Sequence, residues 1–245
     1  MSDIDTNTID TVADATIAKV SPFKFTPLNV VMQLFMVLMA LIMSFMNVSA
    51  YAFDLSADED YQFAEQAITG NFGALRVLKN AADSGDVNAQ YYLGVMFRDG
   101  QGVGQDYAQA VAWFRKAAIQ GNTNAQNNLG VMYLDGQGVD QDYVQAVAWF
   151  RKAADRGNAA AQNNLGIRYK NGQGVAQNRV IAYALYSLSI ENNSVSNDQH
   201  QNAISNRQNI SEYMTESEIE KSQALTQRMK FDGVLKTIDY YCPVC

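Results

Sequence analysis

The segment from Ala89 to Asn124, AQYYLGVMFRDGQGVGQDYAQAVAWFRKAAIQGNTN, is written again from Ala125 to Ala160 as AQNNLGVMYLDGQGVDQDYVQAVAWFRKAADRGNAA, and the two copies agree at 26 of 36 positions. A third, looser copy runs from Ala161 to Ser196 at the same offset. Unrelated helices do not converge to this degree. A fixed period of this length marks a stacked array, because a unit so small cannot bury its apolar face alone and does so against its neighbours. The chain is therefore expected to be all-α, an α/α solenoid of helix-turn-helix units, with its function on a surface rather than in an enclosed pocket.

Each unit reads as two helices. In the second copy Ala125, Leu129, Met132 and Tyr133 recur at helical spacing until Asp135-Gly136-Gln137-Gly138 breaks the run. Asp142 is placed to cap the next helix, whose apolar stripe is Ala146, Trp149, Phe150, Ala153 and Ala154. Arg156 and Gly157 end it, the glycine supplying a left-handed residue without a Cβ penalty. Gly130 beside Leu129 is expected to let the paired helix approach closely while Trp149 fills the outer space; the equivalent pairs are Gly94 with Trp113 and Gly166 with Leu185.

The pattern A-x-x-x-L-G-x-x-Y/F-x-x-G-x-G-V-x-x-D-x-x-x-A-x-x-W-x-x-K-A-A-x-x-G resembles the Sel-one-like repeat family, relatives of the tetratricopeptide repeats. Leu93, Gly94, Phe97, Gly100, Gly102, Val103, Asp106, Ala110, Trp113, Lys116, Ala117, Ala118 and Gly121 carry it in the first copy, and their counterparts from Leu129 to Gly157 in the second. The third copy keeps Leu165, Gly166, Tyr169, Gly172, Gly174 and Val175 but has Asn178 for Asp, Leu185 for Trp and Leu188 for Lys. Its second helix is thus expected to face a different neighbour. Cysteine-rich members of the family carry a disulfide in each repeat; this chain has none there and is similar to the plain class.

The array also has ends. Ala74, Leu78, Ala81, Ala82 and Gly85 align with Ala110, Phe114, Ala117, Ala118 and Gly121, so residues 53–88 read as a degenerate first repeat with helices near Asp58–Thr69 and Gly73–Ser84. Residues 89–124, 125–160 and 161–196 are repeats 1 to 3, and 197–232 are capping helices. Thr215-Glu216-Ser217-Glu218 is a capping-box sequence opening a helix through Ile219, Ala224, Leu225 and Met229. Residues 233–245 read as a tail.

The N-terminal residues 1–52 are different material. After a polar leader containing Lys19 and Lys24, Val30 to Val48 are almost wholly apolar, and the small-residue sequences Val48-Ser49-Ala50 and Ala50-Tyr51-Ala52 follow. This is a signal-peptide pattern with cleavage expected after Ala52. The run is also just long enough to span a bilayer, so an uncleaved anchor is the competing reading, and the only membrane contact expected. Both readings put the repeats outside the cytoplasm, in the periplasm or at the cell surface.

Little else in the sequence points to chemistry. Without residues 1–52 the chain carries 21 acidic and 16 basic side chains, which gives no electrostatic reason to bind nucleic acid. The two cysteines, Cys242 and Cys245, have neither the following helix nor the strand-helix-strand context of a redox pair, and the single histidine, His200, cannot complete a zinc site with them. They read as a local disulfide or as an untethered end. His200 itself sits among polar residues and is expected to be exposed. The Gly-Gln-Gly-Val turns lack the strand and the Lys-Ser/Thr of a phosphate loop. No Ser-x-x-Lys motif is present in the repeats. No catalytic group, metal or cofactor is expected.

The remaining candidate is the face of each first helix that points away from its partner helix, at positions three, seven and ten of the repeat. These are Tyr91, Val95 and Arg98; Asn127, Val131 and Leu134; Asn163, Ile167 and Lys170. The tetratricopeptide resemblance implies that this face lines a concave groove for a peptide or partner protein. A non-catalytic interaction scaffold is the expected function, with an exported thiol-disulfide or hydrolytic enzyme as the alternative.

Overall fold

The computed structural model describes residues 57–192 and 197–242, to which every structural statement below applies. Eleven helices and no strand form there. The degenerate first repeat supplies α1 (Ala57–Ile68) and α2 (Phe72–Asp83), and the three full repeats supply α3 (Val87–Asp99), α4 (Tyr107–Ile119), α5 (Thr123–Asp135), α6 (Tyr143–Asp155), α7 (Ala159–Asn171) and α8 (Arg179–Glu191). The end is built from α9 (Asn197–Ser211), α10 (Glu216–Asp232) and α11 (Val234–Tyr241). Each repeat helix packs on the one before and the one after, which is the expected α/α solenoid. The apolar segment 30–48 and its cleavage sequences lie outside the described residues.

Local chemistry fixes the helix ends. Asp86, Asn122 and Asn158 accept the backbone N–H of Ala89, Ala125 and Ala161, each at 2.9 Å, and so cap the first helix of each full repeat. Asp106 and Asp142 do the same for the second helices, and Asn178 keeps the function by accepting from Ile181 N–H at 3.0 Å. Gly157 follows α6 at φ 84°, in the left-handed region expected of it. Thr215 and Glu218 form the reciprocal capping box at the start of α10.

The small-residue pairing differs from expectation. A Cβ on Gly94 would sit 2.5 Å from the Phe114 ring, on Gly130 2.6 Å from Phe150, and on Gly166 2.6 Å from Tyr186. The close partner is the aromatic one residue after the tryptophan, because one residue turns about 100° around a helix. Phe150 thereby faces α5 and is fully buried, whereas Trp149 is only half-buried and packs against the core cluster formed by α4 and α5. The Lys152 ammonium lies 4.2 Å from the Trp149 ring centre, and Lys116 lies 3.7 Å from Trp113.

The third repeat closes otherwise. Leu185 is fully buried and Leu188 half-buried, and α8 is covered by α9 and α10, the different neighbours its sequence anticipates.

Buried glutamines join successive repeats. Gln90, Gln126 and Gln162 donate from Nε2 to the carbonyls of Ala82, Ala118 and Ala154 at 3.0, 2.9 and 3.2 Å. Each carbonyl also accepts the N–H of Gly85, Gly121 or Gly157 in the turn that closes the preceding second helix, so the glutamine adds a second donor that ties the next repeat to that turn. A second row runs outside it, with Gln120, Arg156 and Asn192 donating to the carbonyls of Gly85, Gly121 and Gly157.

The segment read as a tail is structured as far as Tyr241. Val234, Thr237 and Ile238 are buried in the core of the second and third repeats. The Asp155 carboxylate accepts the Leu235 N–H at 3.0 Å, and Arg151 pairs with Asp239. The sequence reading failed here because the contacts that order α11 come from α6, some 80 residues away.

Candidate functional site

The nine face positions fall on three first helices: Tyr91, Val95 and Arg98 on α3; Asn127, Val131 and Leu134 on α5; Asn163, Ile167 and Lys170 on α7. All nine are half-buried rather than open. Tyr91 and Val95 pack on the α4–α5 core, and Val131, Leu134 and Ile167 on the core of the second and third repeats. Stacking causes this, since the next first helix lies alongside and shares the face. The aliphatic strip therefore belongs in large part to the joints between repeats, and the polar positions form the more accessible chemistry.

Those polar positions are organised as a ladder of amides. Asn127 Oδ1 accepts from Asn164 Nδ2 at 3.0 Å, and Asn163 Oδ1 from Asn206 Nδ2 of α9 at 3.0 Å. Asn124 Oδ1 accepts from Asn158 Nδ2 at 2.9 Å. Tyr91 bonds the Asn128 side chain, and burial pushes its hydroxyl above the usual tyrosine range. In each of these rungs the oxygen of the lower-numbered residue is occupied by the repeat or capping helix that follows. The Nδ2 groups of Asn124, Asn127 and Asn163 donate to no described residue, so the face keeps a row of donors.

The cations differ from one another. Arg98 is engaged by Asp99 through two contacts, Nε to Oδ1 at 2.7 Å and Nη2 to Oδ2 at 2.8 Å, and this hydrogen bonding holds the Asp99 carboxyl below its ordinary value. Lys170 has no ion pair among the described residues. A cleft of about 420 Å³ opens beside the ladder, lined by Tyr91, Asn124, Asn127, Asn128, Arg156 and Asn158, with Gln199 of α9 at its border. The structure thus brings Tyr91 and Asn127 of the expected set to one cleft and ties Asn163 to the covering helix α9.

Asn124, Asn128, Arg156, Asn158 and Gln199 were not singled out by sequence reasoning. The repeated dipeptides Asn127-Asn128 and Asn163-Asn164 were a usable signal, because two adjacent amides at helical spacing reach both the groove and the next repeat. His200 lies half-buried on α9 rather than fully exposed. Cys242 is disulfide-bonded, and Cys245 lies outside the described residues. No cluster of His, Cys, Asp or Glu among the described residues could hold a metal ion, and no described helix is long and apolar enough to cross a membrane.

The described helices, packed in successive pairs, define an all-α solenoid of repeated helix pairs. The family model described as the Sel1 repeat matches residues 87–122, 123–158 and 159–194, each match opening on the first residue of a first helix. The chain belongs to the Sel1 repeat family. It is similar to the Sel1 repeat protein from Oxalobacter formigenes, at 37% identity over 54% of this chain and 97% of that one, with a TM-score of 0.47. It is also similar to c5321, a protective antigen present in uropathogenic Escherichia coli strains displaying an SLR fold, at 28% identity over 77% of this chain and a TM-score of 0.47; the chain spans 46% of that protein. No curated protein matches the chain.

Proposed function

We propose that this protein is an exported, non-catalytic scaffold that holds an extended protein or peptide segment along the inner face of its repeats. Sel1 repeats generally mediate protein–protein interaction, and proteins built from them are typically non-catalytic scaffolds. The observation that carries the inner-face reading is the amide ladder. Its oxygens are spent on the neighbouring repeat while the Nδ2 donors of Asn124, Asn127 and Asn163 remain, so the surface complements a ligand rich in acceptors, such as the carbonyls of an extended backbone. Lys170 favours an acidic group at the third-repeat end. Export rests on the apolar run from Val30 to Val48 and the Ala-Tyr-Ala sequence after it.

Asn127→Asp and Asn163→Asp together form the discriminating variant. Each keeps the oxygen that accepts from Asn164 or Asn206 and removes the free donor. Capture of the partner by crosslinking in intact cells is expected to fall sharply with the melting temperature little changed. Undiminished capture would place the binding site elsewhere. N-terminal sequencing of the exported protein is expected to begin near Phe53, and a cytoplasmic full-length product would contradict export.

A further inference from the structure

The third repeat departs from the other two inside its core as well as on its surface. Position eight of the first helix is Met96 and then Met132, each 1% exposed, but Arg168 in the third copy, at 8%. The aromatic that meets the helix glycine changes with it, from Phe114 and Phe150 to Tyr186, which is fully buried. A thioether and a phenyl ring have become a guanidinium and a phenol in one repeat.

Neither new polar group is satisfied by the fold. Arg168 Nε and the Tyr186 hydroxyl are both sealed from solvent and have no hydrogen-bond partner. No described carboxylate forms an ion pair with Arg168; Asp135, at the end of α5, acts on it only through space, as do the hydroxyls of Tyr143 and Tyr186. The Arg168 terminal nitrogens are not enclosed in this way and keep solvent contact. The turn Gly172–Gly174 meets the start of α6 at the Tyr143 carbonyl, which places the group at the edge of the seam between the second and third repeats.

A guanidinium keeps its proton under all ordinary conditions, and an unpaired buried charge is strongly destabilising. The chain's own first two copies show that methionine fills the same position without that cost. Arg168, with Nε sealed and unpartnered and its terminal nitrogens at solvent, is placed to take a counter-charge from outside the fold. We propose that Arg168, with the hydroxyls of Tyr186 and Tyr143, is a binding site for a small oxyanion, a carboxylate or phosphoryl group, at the seam between the second and third repeats. The planar guanidinium offers two parallel N–H donors to such a group, and the phenols add neutral donors beside it. This site is separate from the amide ladder and does not depend on it.

Melting of the full chain in sodium chloride, sodium phosphate and sodium acetate at matched pH and ionic strength tests the proposal. In chloride, Arg168→Met is expected to melt above the unsubstituted protein, because the charge is uncompensated there. Phosphate or acetate should raise the unsubstituted protein by more than it raises Arg168→Met, with Tyr186→Phe between them. A differential gain in phosphate alone marks a phosphoryl ligand, and one in acetate marks a carboxylate. Calorimetric titration of inorganic phosphate and of acetate into the native chain gives the same answer without melting: heat of binding to at least one, weakened at least tenfold by Arg168→Lys, is expected. Arg168→Met melting at or below the unsubstituted protein in chloride would overturn the proposal, as would equal anion increments in the two proteins or the absence of binding heat for both anions.

Discussion

The seams beside α6 and α8 occupy the same place in successive repeats and are closed in different ways. Beside α6, half-buried Trp149 lies against the α4–α5 core with Lys152 over its ring. At α8 the corresponding residues are Leu185 and Leu188, and α9 and α10 cover them. A seam that meets water is filled by a large flat side chain whose outer face is shielded by the ammonium and its alkyl stem. A seam that meets another helix uses branched aliphatics that interdigitate with it. The change from Trp and Lys to Leu and Leu therefore marks where the array stops being periodic and starts to be capped.

This division sets an order of energetic effects. Phe150→Ala should cost most, about 3–5 kcal/mol, since it empties a fully enclosed site between α5 and α6. Ile238→Ala should follow at about 2–5 kcal/mol, because its side chain is fully buried in the contact that holds α11 down. Truncation after Gly233 should destabilise the chain at least as much. A near-silent truncation would return residues 234–245 to the status of a tail. Trp149→Ala should cost about 2 kcal/mol, below Phe150→Ala, because part of the ring already meets solvent. Equal costs for the two aromatics would break the distinction between the inner and the seam ring. Gln126→Ala should cost about 0.5–1.5 kcal/mol, the usual net worth of one hydrogen bond, because the Ala118 carbonyl keeps the Gly121 N–H when the side chain is removed. Lys152→Ala should have the smallest effect, about 0.5–1 kcal/mol, the usual worth of an exposed cation over an aromatic ring. Urea denaturation of each variant, with midpoint and slope both fitted, measures the series.

Much of the fold was legible because the repeat reports the same helix boundaries three times over. The Asp142 cap, Gly157, the capping box at Thr215 and the altered neighbour of α8 all follow from residue types at their own positions in the repeat. Three features were not legible. Trp149 and Phe150 are adjacent and both apolar, so pattern alone does not say which faces the glycine; the turn of the helix decides it. Gln126 reads as a surface residue until the preceding helix places a carbonyl over it. The α11 segment, Val-Leu-Lys-Thr-Ile-Asp-Tyr-Tyr, is too short to be stable alone and is held by Arg151 and Asp155 of a distant repeat.

The candidate face was legible in outline only. Positions three, seven and ten do lie on the first helices, but Tyr91 and Arg98 both approach Phe114 of the paired second helix, and the sequence carries no sign that Asn164 and Asn206 would occupy the oxygens of Asn127 and Asn163. Those bonds are made between repeats and depend on superhelical geometry. They turn a neutral amide surface into a one-sided array of donors, a property no single repeat possesses.

The binding claim is tested most directly by site-specific photocrosslinking in intact cells, with a photoreactive phenylalanine analogue placed at Tyr91 in one variant and at the exposed Ala148 of α6 in another. The account predicts a discrete adduct from position 91 that disappears when Asn127 and Asn163 are both changed to Asp, and none from position 148. An adduct from position 148 with none from position 91 would contradict it.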